Sequence, residues 1–162
     1  MSGTISYCSS PSLNPVPGVT LTLTGDASDS TLSDGSGNYT FSSLASGGSY
    51  TVTPSKAALT PGSAGIDTAD VIATQQHYLN IVLLLPGCGR DAADVNGDNR
   101  IDTSDVVAIQ RFFIGRTFGI ANTGKYQFTP VFRSYTGVTS NQTAQNYDTL
   151  VFGDVAAGFV EP

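Results

Sequence analysis

The sequence predicts an α+β fold: an antiparallel β-sandwich with a pair of helices inserted between its strands. Short runs alternating Thr with apolar residues, broken by Gly, Asp, Asn and Pro, fill both ends of the chain. Between them one string of residues occurs twice, and each copy continues with helical periodicity.

The 162 residues, 40% hydrophobic and 12% charged, suit one compact unit or two small ones. A net charge of −6 with only 7 Lys plus Arg leaves no basic stripe for a phosphate backbone, so nucleic acid and anionic membrane surfaces are poor candidates as partners. Of the 13 acidic residues Glu161 is the only glutamate. The negative charge therefore sits on short Asp side chains, which suit loops that hold cations through oxygen. Ile81 to Leu85 is the longest notable apolar run, too short to cross a bilayer, so no membrane insertion is expected. Met1-Ser2-Gly3 lacks the features of a signal peptide and reads as the start of a fragment of a longer protein. Cys8 and Cys88, in a chain rich in Gly, Ser and Thr, suggest a secreted monomer in which the two cysteines pair.

From Gly3 to Pro54 the pattern gives four or five strands. Val19-Thr20-Leu21-Thr22-Leu23-Thr24 alternates as a half-buried strand must, and Ser33-Asp34-Gly35-Ser36-Gly37-Asn38 supplies residues that tolerate positive φ. Tyr39-Thr40-Phe41 and Ser49-Tyr50-Thr51-Val52-Thr53-Pro54 resume the alternation. The string Pro15-Val16-Pro17-Gly18-Val19-Thr20-Leu21-Thr22-Leu23, then Asp34-Gly35-Ser36-Gly37-Asn38-Tyr39-Thr40-Phe41, then Gly48-Ser49-Tyr50-Thr51-Val52-Thr53-Pro54, resembles the carboxypeptidase-regulatory or Cna-B type of bacterial surface proteins. That resemblance implies an Ig-like or Cna-B-like antiparallel β-sandwich, a scaffold without an active site.

Ile66-Asp67-Thr68-Ala69-Asp70-Val71-Ile72-Ala73-Thr74-Gln75 realigns on Ile101-Asp102-Thr103-Ser104-Asp105-Val106-Val107-Ala108-Ile109-Gln110 at an offset of 35. In each copy an Asp precedes an apolar set that returns seven residues on: Val71 with Tyr78 and Ile72 with Leu79, then Val106 with Phe113 and Val107 with Ile114. Two short amphipathic helices packed through these faces are expected. In sandwiches of the type named, a strand ending Thr-Pro-Ser-Lys is soon followed by one like Tyr126-Gln127-Phe128-Thr129-Pro130-Val131-Phe132-Arg133-Ser134-Tyr135, and Asp148-Thr149-Leu150-Val151-Phe152 supplies a last strand. The expected organisation is one discontinuous sandwich from residues 1–56 and 125–162, with 57–124 inserted; separate consecutive domains are the rival arrangement.

Asp94-Val95-Asn96-Gly97-Asp98-Asn99-Arg100-Ile101-Asp102-Thr103-Ser104-Asp105 places oxygen side chains at loop positions 1, 3, 5, 9 and 12, with the Arg100 carbonyl at position 7. This is the spacing that wraps a chain around Ca²⁺, which takes six to eight oxygens at about 2.3–2.6 Å. Asn99 stands at the position usually held by Gly, and Asn accepts a left-handed backbone. Ile101 is expected in a short pairing between the two loops. Asp at position 12, followed by Val106-Val107-Ala108-Ile109-Gln110-Arg111-Phe112-Phe113, resembles a type I dockerin repeat. The resemblance implies a dockerin-like two-helix calcium module. It also implies a cohesin-like partner held through the positions matching Thr103, Ser104, Gln110 and Arg111, with Thr68, Ala69, Gln75 and Gln76 in the first copy. The family's basic pair is reduced here to Arg111.

In that first copy positions 1, 3 and 5 are Leu59, Pro61 and Ser63, and only Asp67 and Asp70 keep carboxylates. Two readings stand: an empty structural partner, or a second calcium site completed by main-chain carbonyls and an Asp from elsewhere, such as Asp154.

Catalytic machinery is not legible. His77 is the only histidine, and there is neither a Gly-rich phosphate loop nor a Cys-x-x-Cys pair. Trp is absent, so a glycan platform would need exposed Tyr7, Tyr39, Tyr50 or Tyr147. The expected function is a calcium-stabilised, non-enzymatic structural or adhesion module of a bacterial extracellular or cell-surface protein, with the parent protein's neighbouring domains as partners. A dockerin that binds a cohesin in a polysaccharide-degrading assembly is the alternative, and a carbohydrate-binding module a weaker one.

Overall fold

A computed structural model of the chain describes residues 1–8 and 14–156. Two compact units emerge, Met1–Lys56 with Gln127–Thr149 and Ala57–Tyr126 with Leu150–Pro162. The expected division assigned all of 125–162 to the sandwich, whereas Leu150 onward clusters with the second unit; residues 157–162 lie outside the described residues. Backbone pairing gives the reason. Gly124 N–H donates to the Phe152 carbonyl at 2.8 Å, and Gly153 N–H donates to the Ala92 carbonyl at 2.8 Å.

The first unit is built on strands β1 (Ser2–Tyr7), β2 (Asn14–Pro15), β3 (Thr20–Gly25), β4 (Asp29–Leu32), β5 (Asn38–Thr40), β6 (Gly48–Ser55), β7 (Tyr126–Thr129), β8 (Arg133–Val138) and β9 (Tyr147–Val151). They form an Ig-like sandwich of two sheets. One sheet runs β2-β1-β9-β7 with β5 paired to β1, and the other runs β4-β3-β6-β8. Alternation does what the sequence requires: Leu21 and Leu23 of β3 and Val52 of β6 are fully buried, while Thr22 and Thr24 face solvent. Ile5, Val16, Val19, Phe41 and Tyr147 complete the apolar interior. Tyr147 bridges the layers, its hydroxyl donating to the Val52 carbonyl at 2.9 Å. The Asp34 carboxylate accepts the Ser36 and Asn38 amides at 2.8 Å each, a closed Asx turn whose bonds hold that carboxyl below its usual range. Gly37, at φ 73°, completes the turn where a Cβ would strike the Ile5 carbonyl.

One pairing departs from the antiparallel expectation. β1 and β9 are parallel, with Ile5 opposite Tyr147 and Tyr7 opposite Thr149. No hairpin can join parallel strands; these come from opposite ends of the chain, and a local pattern cannot announce their meeting.

The second unit holds α1 (Thr68–Tyr78), α2 (Cys88–Ala93) and α3 (Thr103–Phe113), with α1 packed against α3. Both repeat helices start alike. Asp67 and Asp102, each in extended conformation, cap the first turn, and Asp70 and Asp105 reach back to the cap amides as capping boxes. They also end alike. Asn80 (φ 55°) and Gly115 (φ 77°) occupy the left-handed position after the last turn. Ile81 N–H then donates to the Gln76 carbonyl and Arg116 N–H to the Arg111 carbonyl, both at 2.9 Å, as in a Schellman cap.

The buried faces differ from those expected. Ile72, Tyr78, Leu79, Val107, Phe113 and Ile114 are exposed, whereas α1 buries Asp70 and Thr74 and α3 buries Asp105, Ala108, Ile109 and Phe112. Position 12 of each loop, Asp70 or Asp105, thus reaches its cap amide from the inward face of the helix. Nor does a β-ladder pair the two loops among the described residues: Ile66 is buried, Ile101 is half-buried, and neither lies in a strand.

Candidate metal centre

Between α2 and α3 the chain folds around Asp94, which ends α2. Asp94 Oδ1 accepts the Gly97 amide at 2.9 Å and the Asp98 amide at 3.2 Å, while Oδ2 accepts the Asn99 amide at 2.8 Å. Gly97 (φ 76°) and Asn99 (φ 65°) supply the left-handed turns that let three successive amides point at one carboxylate. Asn96 Oδ1 accepts the Asp98 amide, and Asp98 Oδ1 accepts the Arg100 amide, both at 2.9 Å. Asp105 closes the loop from the far end, its Oδ1 accepting the Asn96 amide at 3.3 Å and its Oδ2 the Asp102 amide at 3.0 Å.

Two groups behave differently from a set of solvated acids. Asp105 is fully buried, and its carboxyl is pushed above the usual range by burial first, with the Asp94 and Asp102 carboxylates adding to the rise against the amide bonds that oppose it. Asp102 is held low by its bonds from the Ser104 amide (2.7 Å) and hydroxyl (2.8 Å). Ser104 also accepts from Asn96 Nδ2 at 2.9 Å, a cross-loop tie that sequence spacing did not reveal. The six expected ligands, Asp94, Asn96, Asp98, Arg100, Asp102 and Asp105, are thus gathered in one closed loop, though among the described residues no three His, Cys, Asp or Glu side chains form a group able to hold a metal ion. An oxygen shell here needs the Asn96 amide oxygen and the Arg100 carbonyl beside the carboxylates, a donor set suited to a hard cation such as Ca²⁺.

In the first copy Asp67 caps α1 through the Ala69 amide at 2.6 Å. Asp70 is buried, with Oδ2 taken by the Asp67 amide at 2.8 Å and Oδ1 by the Val155 and Ala156 amides at 2.7 and 2.9 Å. Asp154 is buried next to these amides in sequence. At Asp70 three protein N–H donors therefore meet the position-12 carboxylate. Backbone amides leave no mark on composition, so nothing in the sequence pointed to Val155 and Ala156.

The expected partner-binding positions Thr103, Ser104, Gln110 and Arg111 are all exposed, as are Thr68, Ala69 and Gln75, with Gln76 half-buried. Arg111 lies over the Phe118 ring, 5.9 Å from its centroid. The tyrosines that a glycan platform would need are not on the surface: Tyr7, Tyr39, Tyr50 and Tyr147 are all buried. Their place in the sandwich core explains this, since each sits on an inward position of its strand. Cys8 and Cys88 are both disulfide-bonded.

No curated protein and no solved structure gives a significant match to the chain. Residues 1–83, just over half of the 162, match the family model of the carboxypeptidase regulatory-like domain. The matched stretch carries β1 to β6, including every strand of the first unit that precedes the helices, and runs on through α1. With the two-sheet sandwich that those strands begin, the match shows that the chain belongs to the carboxypeptidase regulatory-like domain family.

Proposed function

We propose that the chain is a non-enzymatic, calcium-stabilised structural or adhesive module of a larger extracellular or cell-surface protein. The Asp94–Asp105 loop takes one Ca²⁺, and the neighbouring domains of the parent protein are the partners. The observation that carries this reading is the concentration of carboxylates around a buried Asp105, whose burial and like-charged neighbours raise its carboxyl. A divalent cation removes that repulsion and favours the ionised form, so metal affinity becomes folding stability. The disulfide fits an oxidising compartment. In the first copy the amides of Val155 and Ala156 already engage Asp70, which favours an empty structural partner over a second site.

Calorimetric titration of metal-stripped protein tests this, with unfolding followed in calcium and in chelator. One site is expected, lost in Asp94→Ala combined with Asp98→Ala. At calcium one hundred times Kd the stabilisation should be about 2.7 kcal/mol. A wild type that binds no calcium would overturn the reading, and a site surviving in the double variant would move calcium to the first copy.

A second reading, a dockerin-like module that docks a cohesin-like protein, is favoured by one observation. Thr103, Ser104, Gln110 and Arg111 share the exposed surface of α3 with exposed Val107 and Phe113. It predicts calcium-dependent binding that Gln110→Ala with Arg111→Ala abolishes without lowering calcium affinity.

A further inference from the structure

The first repeat contains an interaction that the second lacks. His77 lies in the last turn of α1, and its Nδ1 accepts the Leu84 amide at 3.0 Å. A backbone N–H can only donate, so this nitrogen carries no proton. The segment that it ties down is unusual: Leu79, Ile81, Val82, Leu83 and Leu85 are 51%, 66%, 55%, 60% and 82% exposed, and no charged residue occurs from 79 to 86. The start of this segment is fixed independently, because the Ile81 and Val82 amides both donate to the Gln76 carbonyl, at 2.9 and 3.3 Å. Beyond Val82 the ring bond to Leu84 ties the chain down before Gly87 opens α2. In the second repeat the matching position is Phe112, wholly buried, which can neither accept a bond nor titrate.

We propose that His77 is a pH-operated latch on the apolar segment Leu83–Pro86. Neutral, its Nδ1 holds the Leu84 amide and fixes the segment. Protonated, the same nitrogen becomes a donor facing a donor, and the bond cannot persist. Histidine is the side chain whose charge changes between about pH 5 and 8. The imidazolium also has somewhere else to turn, since the carbonyls at a helix C-terminus favour a cation. Competing charges are few. On α1 the other ionisable groups are Asp70, in the first turn, and Tyr78; on α3, packed against α1, they are Asp105 and Arg111. None is bonded to the ring, whose one side-chain hydrogen bond among the described residues is to Leu84.

The test is amide exchange and NMR titration of the full chain in saturating calcium between pH 7.5 and 5. The protection factor of the Leu84 amide should fall at least tenfold on acidification, while those of Ile81 and Val82 stay level. In His77→Gln, whose side-chain oxygen accepts at every pH, that step should vanish. In the wild type alone, the Leu84 amide proton should shift with the midpoint of the His77 ring. A pH-independent Leu84 protection, the same step in His77→Gln, or an amide shift with a different midpoint would overturn the latch.

Discussion

The two repeats of the helical unit share their ends and differ in their middles. Both helices begin on an Asp capping box and finish on a left-handed residue followed by a Schellman bond. Yet one loop carries oxygen side chains at five positions, 1, 3, 5, 9 and 12, while the other holds Leu59, Pro61 and Ser63 at the first three of those positions. The position-12 aspartates make the contrast sharpest. Asp105 has its own loop's amides and two like-charged neighbours, whereas Asp70 has two additional amides, from Val155 and Ala156. The same buried carboxylate thus meets three protein amides in one copy, and two amides beside like-charged neighbours in the other. Both copies keep the cap whatever their loops hold, because it serves the helix itself.

The largest test of this contrast is the pair Phe112→Ala and His77→Ala, at matching positions. Phe112 is wholly buried, and a Cβ on Gly124 would strike its ring, so truncation should cost about 3–5 kcal/mol. His77 is half-buried and loses one hydrogen bond, on the order of 1 kcal/mol. Urea unfolding in calcium measures both, and equal losses would mean that the copies share their core roles after all.

Next come Asp70→Asn and Asp105→Asn, measured in chelator. The first weakens charge-assisted bonds from three amides and should cost about 1.5–3 kcal/mol whether or not calcium is present. The second relieves repulsion from Asp94 and Asp102, so the metal-free protein should lose under about 0.5 kcal/mol or gain, while calcium binding disappears. Opposite ranking in chelator would break the account of how each carboxylate is compensated.

A smaller effect follows from proton linkage. Because the Asp105 carboxyl is raised in the folded state, the native metal-free protein binds more protons than the unfolded chain just above the ordinary carboxylate range. The contribution of this group to stability is therefore present at acid pH and is lost as pH rises through its folded value. Wild-type stability in chelator should fall over that window relative to Asp105→Asn, and a flat difference between the two would contradict the raised carboxyl. Smallest of all is the exchange of the terminal residues. Asn80→Gly should change stability by a few tenths of a kcal/mol, and Gly115→Asn should cost under about 1 kcal/mol, since open space surrounds Gly115 and only its φ of 77° resists a side chain. Thermal melts resolve this pair, and a larger loss at Gly115 would reveal crowding at the end of α3.

Much of this architecture was legible because it rests on local chemistry. Thr20 to Leu23 alternates, so β3 has one inward face; Asp34 to Asn38 can only turn; Asp67 and Asp102 stand where caps stand. The calcium-type spacing of Asp94 to Asp105 likewise led to a loop that closes on its own carboxylates. What escaped were the meetings of distant segments and the faces they impose. The parallel alignment of β1 with β9 involves no turn. The amides on Asp70 have no side-chain signature. Apolar residues seven apart at Ile72 and Leu79 suggested a buried stripe, yet the inward-turned aspartates rotated both helices and left those residues in solvent.

The discontinuity of the sandwich bears on how the protein is made. Strand β6 ends at Ser55, and the second neighbour of β6 and the parallel neighbour of β1 do not begin until Arg133 and Tyr147. At about 5–20 residues per second, a ribosome needs on the order of ten seconds to cross that interval. During it the hairpin of β3 with β4 and the pairing of β3 with β6 can form, but β6 offers an open edge and β1 lacks its parallel neighbour. Residues Thr68–Phe113 leave the ribosome within the same interval, and the amides of Val155 and Ala156 that engage Asp70 leave only after both helices have emerged. Neither unit can be finished until β9 and the residues that follow it to Ala156 are synthesised, so emergence of this late segment, rather than of the first strands or of the helices, sets the moment at which the native fold becomes attainable.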